Sequence, residues 1–172
     1  LDGLDERGEA FVVEIPPNAH VWLNKPKVLT NPPPNSKGRP KKYPRLRKRD
    51  QRPSEVQDLA KYSPAFREQT PQRYRIADTH RGSEVWEIRW HTCWRKTHTG
   101  TLVSKQCTLI VARNVLTGEV KYFLSNRVPG EINPVTGQCI TLRFLLRVAF
   151  GRSSIESCFR EAKEELGLDH YE

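Results

Sequence analysis

Residues 107–124 read Cys107-Thr108-Leu109-Ile110-Val111-Ala112-Arg113-Asn114-Val115-Leu116-Thr117-Gly118-Glu119-Val120-Lys121-Tyr122-Phe123-Leu124. The run from Cys107 to Val111 is an apolar strand centre, Leu116-Thr117-Gly118-Glu119 is turn chemistry, and Val120 to Leu124 returns as a partner strand. A short Gly-containing turn between two such runs predicts an antiparallel hairpin at Thr117-Gly118. The first strand is expected to span Val103 to Arg113. Upstream of it, Val85-Trp86-Glu87-Ile88-Arg89-Trp90 combines aromatic and β-branched residues in a further strand. Residues 72–126 thus read as an antiparallel meander.

The pattern changes on both sides. Downstream, Pro129, Gly130, Pro134 and Gly137 mark a loop over 127–138. Ile140 to Phe150 is then apolar at helical spacing, with Gly151 expected to break it. Ser153 or Ser154 can cap a second helix running to about Leu166, where Gly167 stops it. Upstream, Ala10-Phe11-Val12-Val13-Glu14-Ile15 reads as a buried strand ended by Pro16-Pro17. Between 24 and 54, Pro26, Pro32, Pro33, Pro34, Pro40, Pro44 and Pro53 oppose regular structure. The expected division is 1–23 as sheet, 24–71 as a basic, mobile Pro-rich loop, 72–126 as a β-rich unit, and 139–172 as C-terminal helices. The fold class expected is α/β to α+β.

The chain of 172 residues has 29 Lys+Arg against 20 Asp+Glu, a formal charge of +9. That excess favours polyanionic partners, nucleic acid above all, although a basic protein with no such partner fits the same number. No run of 18 apolar residues exists, so no membrane span is expected. The opening Leu1-Asp2-Gly3-Leu4-Asp5-Glu6 lacks a basic n-region and an apolar h-region and is no signal peptide. It does not resemble a natural start, which leads to an expectation of further sequence upstream. Cys93, Cys107, Cys139 and Cys158 have no paired spacing and read as free thiols in a reducing cytoplasm. His91, Cys93, His98 and Cys107 can be drawn as a zinc set, but no CxxC or HxxxH pair anchors it.

The positive charge is local. Between 37 and 52 stand Lys37, Arg39, Lys41, Lys42, Arg45, Arg47, Lys48, Arg49 and Arg52 against the single acid Asp50, a net +8. A charge run is ordinarily a solvated segment. The core Lys37-Gly38-Arg39-Pro40-Lys41-Lys42, however, resembles an AT-hook, whose arginine lies along a narrow A·T minor groove of strong negative potential. DNA contact by Lys37, Arg39, Lys41, Lys42, Arg45, Arg47, Lys48 and Arg49 is therefore expected.

On the last helix, Ile155, Phe159, Ala162 and Leu166 share one stripe. Arg152, Glu156 and Lys163 fall within about 40° of one another along its edge. A carboxylate so placed can ligate Mg²⁺ or Mn²⁺, with the flanking cations holding phosphates. An ordinary surface Arg-Glu pair has the same spacing.

The segment Arg152-Ser153-Ser154-Ile155-Glu156-Ser157-Cys158-Phe159-Arg160-Glu161-Ala162-Lys163 resembles the glutamate-bearing helix of insertion-sequence transposases of the DDE superfamily. Their signature is a tyrosine, two residues, an arginine, three residues, the glutamate, six residues and a lysine. Arg152, Glu156 and Lys163 fit in register, whereas the tyrosine position holds Ala149. Phe11 to Pro16 with Val21-Trp22 resembles the strand after the family's second aspartate, and Val111 to Asn126 its β-rich insertion.

The resemblance implies a partial RNase H-like domain and metal-dependent DNA cleavage and strand transfer at transposon ends. Glu156 would be the third metal carboxylate of a two-metal Mg²⁺ or Mn²⁺ site. Arg152 and Lys163 would contact DNA phosphate. Transposon ends and target DNA would be the partners, with a homodimer an option for the full-length protein, and the setting would be the bacterial cytoplasm beside the nucleoid. None of Asp2, Asp5, Asp50, Asp58 or Asp78 has the context of the two aspartates, so the chain alone is expected to be inactive, with some apolar sheet surface left open. The alternatives are a non-catalytic DNA-binding module using 37–52 and a scaffold with a β-meander core.

Overall fold

The computed structural model describes residues 1–29, 44–47, 52–76, 83–97, 102–133 and 136–151. In chain order it contains α1 (Asp2–Glu6), β1 (Val12–Ile15), β2 (His20–Trp22), β3 (Val28–Leu29), β4 (Arg45–Leu46) and β5 (Ser54–Glu55). There follow α2 (Val56–Tyr62), α3 (Pro64–Arg67), β6 (Gln72–Ile76), β7 (Glu84–Arg95), β8 (Cys107–Asn114) and β9 (Val120–Ser125). A helix α4 covers residues 142–151.

The meander forms as its alternation requires. β7 pairs with β8 from Trp86↔Asn114 to Cys93↔Cys107, and β8 with β9 from Thr108↔Ser125 to Arg113↔Val120, all antiparallel. The turn between β8 and β9 places Gly118 at φ 73°, a region that L side chains rarely occupy. Asn114 Oδ1 accepts from the backbone N–H groups of Leu116 and Thr117 at 2.9 and 3.1 Å. β1 closes the far side against β9, with Val12 opposite Ser125.

β7 is longer than the stretch Val85–Trp90, because His91-Thr92-Cys93-Trp94 continues the period-2 pattern. Its 12 residues give the outer edge two neighbours: β6 along its first half and β2 at its end, with β5 beyond β2. The result is one curled seven-stranded sheet ordered β1-β9-β8-β7-β2-β5, with β6 beside β7. β8 is shorter than expected and starts at Cys107. Val103 makes only an isolated bridge to Lys96, and Leu102 sits at φ 61°.

Both sheet faces are covered. On one, Trp86, Ile88, Ile110, Ala112 and Phe123 pack against Ile140, Leu145, Leu146 and Phe150 of the C-terminal segment. The Phe150 ring stands 5.1 Å from Trp86, 5.3 Å from Phe123 and 5.9 Å from Tyr74, centroid to centroid. Ala149 packs at the margin of this core. On the other face, Cys93, Cys107, Leu109, Val111 and Leu124 meet Val21, Val56 of α2 and Phe66 of α3.

Three sequence expectations change. The stretch 24–71 is not loop throughout: Val56–Tyr62 and Pro64–Arg67 are helices, started by Val56 burial and by Pro64 at a first-turn position. Short strands also form within 24–55 where β5 pairs β2 and β3 pairs β4. Gly151 is itself helical, the last residue of α4 among those described. That helix begins at Thr141, whose Oγ1 accepts the Phe144 N–H at 3.1 Å as an N-cap. The structure is mixed α/β with an antiparallel sheet.

Candidate nucleic-acid interface

Of the residues expected to contact DNA or metal, Arg45 and Arg47 are described. Lys37, Arg39, Lys41, Lys42, Lys48, Arg49, Arg152, Glu156 and Lys163 lie outside the described residues, as does the helix expected over 153–166. Arg45 stands opposite Leu29 in the β3–β4 ribbon, and the Arg47 N–H donates to the Lys27 carbonyl at 2.8 Å. Leu29 and Arg45 are thus held together at the base of the stretch that contains the Gly38-Arg39-Pro40 core. Arg45 is half-buried and Arg47 exposed. Beside this base, Lys25 and Arg52 border a groove of about 330 Å³ floored by Val21, Trp22 and Leu59.

A second group of cations was not legible as a site. Arg73 and Arg75 lie on β6, Arg143 and Arg147 on α4, and all four are exposed. Arg73, Arg75 and Arg143 line a groove of about 360 Å³ together with Gln72, Tyr74, Ile88, Leu142 and Leu146. β6 pairs only with β7 among the described strands. The signals available in sequence were the alternation of Arg73 with Arg75 and the i, i+4 spacing of Arg143 with Arg147. Neither tells that the strand and the helix are neighbours.

The acidic residues are placed differently from metal ligands at strand ends. Asp2 and Asp5 belong to α1, and Asp58 to α2; Asp50 and Asp78 are outside the described residues. Asp2 Oδ1 is ion-paired to Arg95 Nη1. Among the described residues, no three His, Cys, Asp or Glu side chains are grouped so as to hold a metal ion. Of the drawn zinc set, His98 is outside the described residues. Cys93 and Cys107 face each other in the core, and the His91 ring packs 6.2 Å from Phe66. Burial pushes the Cys93 thiol well above its ordinary range, and the neighbouring Cys107 adds to the shift. Such a thiol is an inert core group rather than a nucleophile.

No described helix is long and apolar enough to cross a membrane. Comparison of the chain with family models, with curated proteins and with solved structures finds no match.

Proposed function

We propose that this chain is a DNA-binding part of a DDE-type transposase, the C-terminal portion of an RNase H-like catalytic domain. The observation that carries the proposal is the register Arg152-x₃-Glu156-x₆-Lys163. The local +8 of residues 37–52, held at its base by the β3–β4 ribbon, supports a polyanionic partner. In the parent enzyme Glu156 would be one of three carboxylates around two Mg²⁺ or Mn²⁺ ions, and Arg152 and Lys163 would hold phosphates of the strand being cut. One carboxylate cannot organise two metals, so the chain by itself binds DNA without cutting it.

The test is fluorescence anisotropy on labelled DNA at about 0.15 M salt, paired with a nuclease assay in Mn²⁺. Binding is expected to weaken with salt and to fall in Arg152→Ala and Lys163→Ala, with no cleavage by the wild-type chain. Absence of measurable affinity overturns the proposal, as does turnover that disappears in Glu156→Gln.

A non-catalytic DNA-binding module is the second reading, favoured by the anchored basic segment alone. It is distinguished by variants: deletion of 37–52 would then abolish binding while Arg152→Ala and Lys163→Ala leave it unchanged.

A further inference from the structure

We infer that the groove at the end of β2, bordered by Lys25 and Arg52, is a seat for one unpaired nucleotide of a DNA strand. The phosphate lies on the two cations, and the sugar and base lie against the apolar wall. The inference rests on the DNA-acting reading above and deepens it, by assigning a site and the form of DNA that fits it.

The groove follows from the pairing of β2 with β5. Val21 of β2 is the register partner of Ser54 of β5, and register partners share one face of a sheet. On that face Val56 and Leu59 of α2 pack with Val21. β2 ends at Trp22, and the chain bends at Leu23 and Asn24. The space between this bend, Arg52 and Leu59 is a cavity of about 330 Å³. Val21, Leu23 and Leu59 line its apolar part, Asn24 and Ser54 add neutral polar groups, and Lys25 and Arg52 supply the charge.

Lys25 and Arg52 are exposed, and among the described residues neither is in an ion pair. The acids nearest in sequence are set elsewhere. Glu55 accepts from Gln57 Nε2 at 2.6 Å, and neither Glu55 nor Asp58 lines the groove. Two cations at one small cavity suit a single anion with several oxygens. Phosphate qualifies, since guanidinium offers paired N–H donors and ammonium a point charge. The volume lies near the lower end of small-ligand sites, about 300–1,000 Å³. The apolar wall narrows the choice further. Inorganic phosphate leaves it empty, and a duplex keeps its bases stacked away from it. A glutamate of an acidic peptide is the competing ligand, but its slender stem covers little of that wall. An unpaired nucleotide uses both parts, as cationic grooves with ring-binding surfaces do for single strands.

The position in the chain gives the seat a use. The chain leaves the sheet past Lys25 and returns to it at Arg52, and the β3–β4 ribbon joins the two limbs. Val28 stands opposite Leu46, and the Arg47 N–H donates to the Lys27 carbonyl at 2.8 Å. Arg52 is the last of the nine Lys and Arg residues between 37 and 52. The groove therefore sets two cations against sheet and helix at the root of the segment that carries the excess charge.

The experiment measures anisotropy of the full chain with labelled oligothymidylate and with duplex DNA over a salt series. Three variants are compared: the double variant Lys25→Ala with Arg52→Ala, Ser54→Tyr, and Arg67→Ala. Ser54→Tyr fills the groove without changing its charge, and Arg67 lies on α3 outside the groove as a control. Thermal unfolding verifies the fold of each. The double variant is expected to bind oligothymidylate about 10-fold more weakly. Its log–log salt slope is expected to fall by about 0.7, the share of one single-strand phosphate. Ser54→Tyr is expected to weaken oligothymidylate binding and to leave the duplex as it is, whereas Arg67→Ala changes neither. Folded groove variants that bind oligothymidylate as the wild type does overturn the groove and leave the transposase reading standing. So does an equal loss on duplex and single strand with Ser54→Tyr silent, since the two cations then act as plain surface charge. Displacement of the oligonucleotide by an equal concentration of polyglutamate or of free thymidine monophosphate also overturns the strand as the ligand. A wild-type chain that binds no DNA overturns both.

Discussion

Asp2 and Arg95 join the first helix of the chain to the end of the longest strand, 93 residues away in sequence, through a carboxylate–guanidinium ion pair. Their side chains are only 16% and 10% exposed. Val21 of β2 is the register partner of Arg95, so the pair sits where three segments meet. Removing one partner of a largely buried ion pair is in general strongly destabilising. Asp2→Ala is expected to destabilise the fold by about 2–4 kcal/mol, the lower part of the range for buried pairs because some solvent remains. Replacing both, Asp2→Ala with Arg95→Met, is expected to cost less than Asp2→Ala alone. Urea unfolding of the two variants measures this, and equal losses would overturn the expected coupling between the two side chains.

Asn126 is the second long-range clamp. Its Oδ1 accepts the Phe11 N–H at 2.9 Å, and its Nδ2 donates to the Glu9 carbonyl at 2.7 Å. Both bonds align β1 on β9, and a carboxylate can supply only the first. Asn126→Asp, which loses only the bond to Glu9, is expected to cost about 1–2 kcal/mol in thermal unfolding, whereas Asn126→Ala, which loses both, is expected also to speed amide exchange at Phe11. An unshifted exchange rate at Phe11 in Asn126→Ala would show that the side chain does not hold that strand.

Much of the sheet was legible in the sequence because its signals are local. The Thr117-Gly118 turn, the alternation of β7 and β8, and the proline stop after Ile15 each lie within a few residues. Helix α4 follows from the spacing of Leu142, Leu145, Leu146 and Phe150, and only its Thr141 cap and the helicity of Gly151 were missed. What was not legible depends on partners far away. Val56 and Phe66 sit in proline-flanked, polar sequence that gives little sign of helix, and they become core because β7 and β8 present Cys93, Cys107 and Leu109 to them. The site divides likewise. Arg152, Glu156 and Lys163 stand out by resemblance and spacing, whereas no spacing in the chain brings Arg73 near Arg143.

Phe150 anchors α4 to the sheet through three aromatic neighbours. Phe150→Ala leaves a cavity between Trp86, Phe123 and Tyr74 and is expected to cost about 3–5 kcal/mol. Phe150→Leu, which keeps most of the volume, is expected to lose less than half of that. The pair is compared by urea unfolding. Equal effects would show that ring geometry, not filled volume, holds the helix.

The core thiols supply a pH test. Cys93 ordinarily ionises near pH 9.0, and burial raises it in the folded chain, with Cys107 adding to the effect. Above pH 9 the unfolded chain has therefore released a proton that the folded chain still holds. Rising pH then draws the equilibrium toward unfolding, with a limiting slope of about 1.4 kcal/mol per pH unit for one such group. The stability is fully present below pH 9 and declines above it. Tyr122 acts in the same direction above pH 10, since burial raises its phenol from the ordinary value of 10.0. Cys93→Ala is thus expected to flatten the decline between pH 9 and 10 and to keep a residual decline above it. Denaturant midpoints for both proteins from pH 7 to 10.5 decide the matter: a constant offset between parallel curves would mean that Cys93 ionises alike in the folded and unfolded chains. In the same samples at pH 7, a thiol reagent followed by peptide mapping is expected to label exposed Cys139 well before buried Cys93 and Cys107.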